Sequence, residues 1–204
     1  MISIKLSSKK KMRNIQMDNG SLYTMLLNNC IYNHSSQHIM NAFHQMDIQT
    51  QFKTDLFYFC ITGLPKTLYS TFLHIDSEQY FCVYSQIHDT LQEIISAAHY
   101  VADIFMLIND SKEIAILFSP NDSTFLSNTS PLQLTTQIHD AVEKVYQREF
   151  HLDKTPYFNV TAFCGPFSSV SNIHSGYHVL KHLKSLAFFK TKGCLSIILE
   201  IPFI

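Results

Sequence analysis

Three histidines late in the chain, His174, His178 and His182, recur at every fourth position, which on a helix sets their rings in one row. Imidazoles spaced this way chelate zinc or copper, provided a further ligand arrives from another element. Lys181 and Lys184 stand beside them and add positive charge against a cation, so the row reads as a polar, solvent-facing stripe and no metal is expected. His34 and His38 share the spacing, but His34 sits near a helix boundary. A second group is Asn109, Asp110, Ser111, Lys112 and Glu113, a polar turn between the apolar arms "DIFMLI" and "IAILF". Asn-Gly or Asp-Gly would close a tight hairpin more easily, so Asp-Ser-Lys-Glu in that place suggests a present or former function. Ser, His and Asp are scattered without a G-x-S-x-G elbow, which argues against a hydrolase. The late lysines Lys181, Lys184, Lys190 and Lys192 read as complements to the dipole of a helix C-terminus rather than as phosphate ligands.

The turn at 109–113 needs two strands to hold it, and those strands need a sheet. Leu56 to Ile61, "LFYFCI", is a continuous apolar run stopped by Gly63 and Pro65, which predicts a central strand buried on both faces. Its aromatic residues Phe57, Tyr58 and Phe59 read as sheet core rather than as a stacking platform for bases. Tyr80, Tyr84, Ile87, Leu91, Ile94, Ile95 and Ala98 recur at helical spacing and predict one long amphipathic helix to about His99. The hairpin 103–118 follows, then a polar loop, then a second long helix from Pro131 with Leu134, Ile138, Ala141, Val142 and Val145 inward. "YFNVTAFCG", Tyr157 to Gly165, reads as a strand ending at Gly-Pro. A third helix runs from Ser168 to about Phe189 with Ile173, Tyr177, Leu180, Leu183 and Ala187 inward, and "CLSIILEI" closes the chain as a strand. Ahead of all this, "SLYTMLLNNCIY" and "SSQHIMNAFHQM" predict two short helices. The order predicts an α/β (α+β) sandwich: a mixed, mostly antiparallel sheet flanked by helices, built from ferredoxin-like pieces.

Composition narrows the function classes. The 204 residues are 46% apolar, enough for a full core in one compact domain, 51–204, behind a basic leader and helical lead-in, 1–50. Fifteen Lys+Arg against sixteen Asp+Glu give a net charge of −1, so no global field draws the chain to nucleic acid or anionic lipid. Lys5, Lys9, Lys10, Lys11 and Arg13 make the start basic, but the residues after them lack the apolar stretch of a secretory signal. No apolar run approaches the ~20 residues that span a bilayer. The five cysteines, Cys30, Cys60, Cys82, Cys164 and Cys194, are odd in number and widely spaced, which reads as buried free thiols of a cytoplasmic protein.

The hairpin after the first long helix resembles that of the GGDEF domain of diguanylate cyclases, whose signature turn runs directly into "AILLP". Here Asp110-Ser111-Lys112-Glu113-Ile114 runs into "AILFSP". The resemblance implies a nucleotide-cyclase-like core whose turn has lost its chemistry. Such a fold holds two hard cations on carboxylates, but the metal-binding acid of the signature aligns with Lys112. No carboxylate lies near Ile61 to Gly63, where the first strand should supply one. The signature glycines are Asp110 and Ser111, and the family's Arg-x-x-Asp inhibitory site aligns with Val101 to Ile104, without the arginine and with Asp103 one place out of register. Neither cyclase activity nor that inhibitory site is expected. The lead-in "SLYTMLLNN" and "HIMNAFHQMDIQTQFKTDLFYFCI", with the tail Ser175-Gly176-Tyr177, resemble the degenerate GGDEF-like sensor regions of AraC-type (YesN-like) bacterial transcription regulators. That resemblance implies a non-catalytic ligand-sensing or dimerising domain, with Asn109, Asp110, Ser111, Lys112 and Glu113 as ligand-binding residues. It implies a small-molecule effector, a homodimer, no cofactor, and DNA contact only through helix-turn-helix units that these residues do not contain. The alternatives are a residual nucleotide-binding or cyclase-type enzyme and a purely structural spacer.

Overall fold

The computed structural model describes residues 19–32, 38, 41, 50–63, 77–107, 113–121, 129–150, 159–190 and 197–201. Within them the elements are α1 (Asn19–Tyr32), β1 (Phe57–Gly63), α2 (Ser77–Ala97), β2 (Tyr100–Met106), β3 (Glu113–Pro120), α3 (Pro131–Phe150), β4 (Val160–Phe167), α4 (Asn172–Lys190) and β5 (Ile197–Ile201). The strands form one sheet in the order β2-β3-β1-β4-β5, antiparallel except for the parallel β4–β5 pair. β1-α2-β2 and β3-α3-β4 are split β-α-β units, each with a strand of the other inserted, which is the ferredoxin-like arrangement expected from the element order. The apolar run of β1 takes the central place, with Phe57, Phe59, Cys60 and Ile61 wholly buried.

Alternation along the strands divides the core into two layers. Phe57, Phe59, Ile61, Phe105, Ala115, Leu117, Ala162 and Cys164 face α1 and α4, where Leu27, Cys30, Ile31, Ile173, Tyr177 and Leu180 meet them. Cys60, Ala102, Ile104, Ile114, Ile116, Phe118 and Phe163 face α2 and α3. The lead-in helix α1 is therefore part of the core, through Leu27, Cys30 and Ile31. The second lead-in helix lies outside the described residues, apart from His38 and Asn41, which are helical.

Local sequence sets the helix ends. Ser130 and Gln133 form a reciprocal cap at the start of α3: the Gln133 N–H donates to Ser130 Oγ at 3.2 Å and the Ser130 N–H to Gln133 Oε1 at 2.8 Å. Pro131 occupies the first helical position, where its missing N–H costs nothing. Past α2 the chain turns at His99 in the left-handed region, φ 60°, and the Asn121 N–H donates to the His99 carbonyl at 2.9 Å.

Several boundaries differ from the sequence expectation: β2 starts at Tyr100 rather than Asp103, α4 starts at Asn172 rather than Ser168, and β4 runs further than expected. β4 does not stop at Gly165-Pro166; it continues to Phe167 through a cis Gly165–Pro166 bond, with a register shift opposite Phe57 and Phe59. The missing N–H of Pro166 falls within the irregular stretch between the Phe59–Cys164 and Phe57–Phe167 pairs, where a strand tolerates proline. Gly165 is required there: its φ is 133°, and a Cβ would sit 2.9 Å from Tyr58 Cδ1.

Candidate functional site

The end of β1 and the start of β3 lie side by side, with Gly63 opposite Glu113. Of the five candidate ligand-binding residues, Asn109, Asp110, Ser111 and Lys112 lie outside the described residues. Glu113 is described, as the first residue of β3, and only 1% of it is exposed. Lys181 Nζ donates to Glu113 Oε2 at 2.7 Å, and Lys184 Nζ lies 2.9 Å from Oε1, off the hydrogen-bonding direction but at ion-pair distance. Lys184 is buried and Lys181 reaches solvent. Both lysines come from α4, three residues apart and so on one face.

This overturns the reading of Lys181 and Lys184 as solvated partners of a helix dipole. Burial of Glu113 makes an unpaired carboxylate expensive, and the two ammonium groups compensate it from above the sheet. The arrangement has a chemical consequence. A hard dication needs several anionic oxygens, whereas here both oxygens of the carboxylate face cations and the cluster carries net positive charge. No group of three His, Cys, Asp or Glu side chains suited to a metal ion occurs among the described residues.

On the other face, at the same end of the sheet, a buried polar network joins α3 to β1 and β4. Thr62 Oγ1 and Thr161 Oγ1 are 2.7 Å apart, the Gly63 N–H donates to Asn159 Oδ1 at 3.1 Å, and His139 Nδ1 lies 2.9 Å from Thr161 Oγ1. Glu143 Oε2 is 3.2 Å from His139 Nε2. Burial holds the His139 pKa below its ordinary value, although the Glu143 carboxylate pulls it the other way.

The sequence matches no family model and no curated protein. Among solved structures it is similar to one described as "Crystal structure of the guanylyl cyclase Cya2", with 15% identity over 63% of this chain and 72% of that one and a TM-score of 0.38.

Asp103 is buried, and its Oδ2 accepts the Gln51 N–H at 3.0 Å and the Phe52 N–H at 3.4 Å. The Lys53 N–H donates to Ser119 Oγ at 2.7 Å. These side chains fasten the segment entering β1 to the β2–β3 hairpin, a task that uses the acceptor capacity of Asp103 inside the fold. The histidine row is split: His178 and His182 are exposed, but His174 is buried, with Nδ1 2.8 Å from the Ile31 carbonyl. The expected solvent-facing stripe fails at His174 because α1 covers that turn of α4. Cys30, Cys60 and Cys164 are buried free thiols as expected, whereas Cys82 is exposed on α2. Burial pushes the Cys30 and Cys60 thiols up to about 12, so neither is a nucleophile at neutral pH. Lys181 and Lys184 are the site residues whose role spacing concealed; the one signal was an acidic residue at the start of an otherwise apolar strand.

Proposed function

We propose that this chain is a non-catalytic ligand-sensing and dimerising module of the AraC-type regulator class, with a degenerate GGDEF-like core. The observation that carries the non-catalytic reading is Glu113: it is the surviving acid of the turn, and it is neutralised by Lys181 and Lys184. A carboxylate held by two ammonium groups is a poor ligand for the cations that nucleotide condensation needs. The assignment to the regulator class rests on the lead-in and tail patterns of the sequence. In this reading a small effector engages the turn at 109–113 and favours one arrangement of a dimer, and separate helix-turn-helix units read the DNA.

The purified chain, incubated with Mg²⁺ or Mn²⁺ and GTP or ATP, is expected to form no cyclic product. Light scattering should report a dimer, and one class among nucleotides, cyclic dinucleotides and sugars should raise the melting temperature by mass action. Metal-dependent turnover would remove the non-catalytic reading. A monomer indifferent to every compound would remove the sensing and dimerising one.

A further inference from the structure

α2 and α3 pack against each other on the sheet face away from Glu113, and a groove of about 450 Å³ runs between them. Ile94, Ala141 and Val145 contribute apolar surface, and Asp140, Lys144 and Arg148 contribute charge. The volume is within the range of small-molecule sites. The three charged residues are four apart on α3, so one row carries a carboxylate at one end and two cations toward the other, about 12 Å apart along the axis. Asp140 and Lys144 form no ion pair among the described residues. Arg148 is 65% exposed and reaches across the end of the groove: Nη2 donates to Gln86 Oε1 on α2 at 2.5 Å, and Nε donates to and ion-pairs with Glu149 Oε1 at 2.7 Å. Two of the five guanidinium donors are thus engaged and the rest remain for a ligand.

We propose that this groove is a binding site for a small organic monoanion, with a compact apolar body on Ile94, Ala141 and Val145 and its acidic group between Lys144 and Arg148. An inorganic anion would leave the apolar surface wet, and a neutral apolar molecule would bury the groove without using its cations. Asp140 at the far end repels a second acidic group and accepts a hydroxyl, which sets the preference for one negative charge. The site lies apart from the turn at 109–113 and goes beyond the sensing role proposed for that turn.

The probe pair is 8-anilino-1-naphthalenesulfonate and N-phenyl-1-naphthylamine, which share an aromatic body and differ in the sulfonate. The full chain has no tryptophan, so their fluorescence reads without background from that residue. The sulfonate is expected to bind once per chain, about threefold more tightly than the neutral amine, because Lys144 and Arg148 are exposed and Arg148 already pairs with Glu149. Lys144→Glu with Arg148→Glu should bring the sulfonate to the level of the amine and leave the amine unchanged. Lys144→Gln, a milder change, should give an intermediate loss in a chain whose circular dichroism melt matches the parent. Phe81→Ser, which removes an exposed apolar side chain elsewhere on α2, should change neither affinity. Equal binding of the two probes, sulfonate binding indifferent to the charge reversal, or loss of binding in Phe81→Ser would each overturn the proposal.

Discussion

Glu113 trades reactivity for structure. Its neighbours Lys181 and Lys184 lie 68 and 71 positions later, so nothing in local spacing announces the cluster. Lysine on a helix face near its end is usually solvated, and only the tertiary fold brings α4 over the start of β3. Glu113→Ala leaves Lys184 buried and uncompensated and should cost about 3 kcal/mol in denaturant unfolding. Glu113→Leu combined with Lys181→Leu and Lys184→Met should recover most of that loss, which distinguishes an electrostatic debt from a packing defect. His139 predicts a pH dependence. Its folded pKa is depressed, so the unfolded chain binds the proton more readily; its contribution is complete above about pH 6.5 and is lost as pH falls through the folded pKa. Urea midpoints measured from pH 7.5 to 5 should fall, and should fall less steeply in His139→Gln.

At the scale of elements, periodicity identified most of the architecture. The apolar run of β1 and the 3.6-residue spacing of α2 and α3 each reflect a local requirement, burial on two faces or on one stripe. Two features escaped because their causes are distant. Gly165-Pro166 has the composition of a strand end, yet β4 passes through it at a register shift against Phe57 and Phe59 of β1. His174 has the spacing of a surface row, yet the carbonyl of Ile31 on α1 meets it. Close docking of α4 on β4 gives a further prediction: a Cβ at Gly176 would approach Phe167 Cζ to 2.9 Å and Cys164 Sγ to 3.4 Å. Gly176→Ala should therefore destabilise by about 1–2 kcal/mol, overpacking of about 1–3 kcal/mol outweighing the helix-propensity gain of about 1 kcal/mol. A rise in the melting temperature of that variant would show that Phe167 moves aside freely.

For the whole molecule, α1 shares a core with the sheet, and the segment entering β1 is fastened by Asp103 and Ser119. The described lead-in and the sheet should then unfold together. Ile31→Ala, fully buried in the parent, should cost about 2–4 kcal/mol and accelerate hydrogen exchange in β1 as well as in α1. Exchange confined to α1 would mark it as a separate unit. The sheet order carries a further consequence, for the nascent chain. β1 is central, but its partner Phe118 in β3 follows Tyr58 by 60 positions, and Cys164 in β4 follows Phe59 by 105. During synthesis the central strand therefore emerges first and waits, with both hydrogen-bonding edges open, until most of the remaining chain has left the ribosome. Such a strand is a template for intermolecular pairing, so the yield of soluble protein should depend on chaperone supply and on slow translation at low temperature more than on the stability of the finished fold.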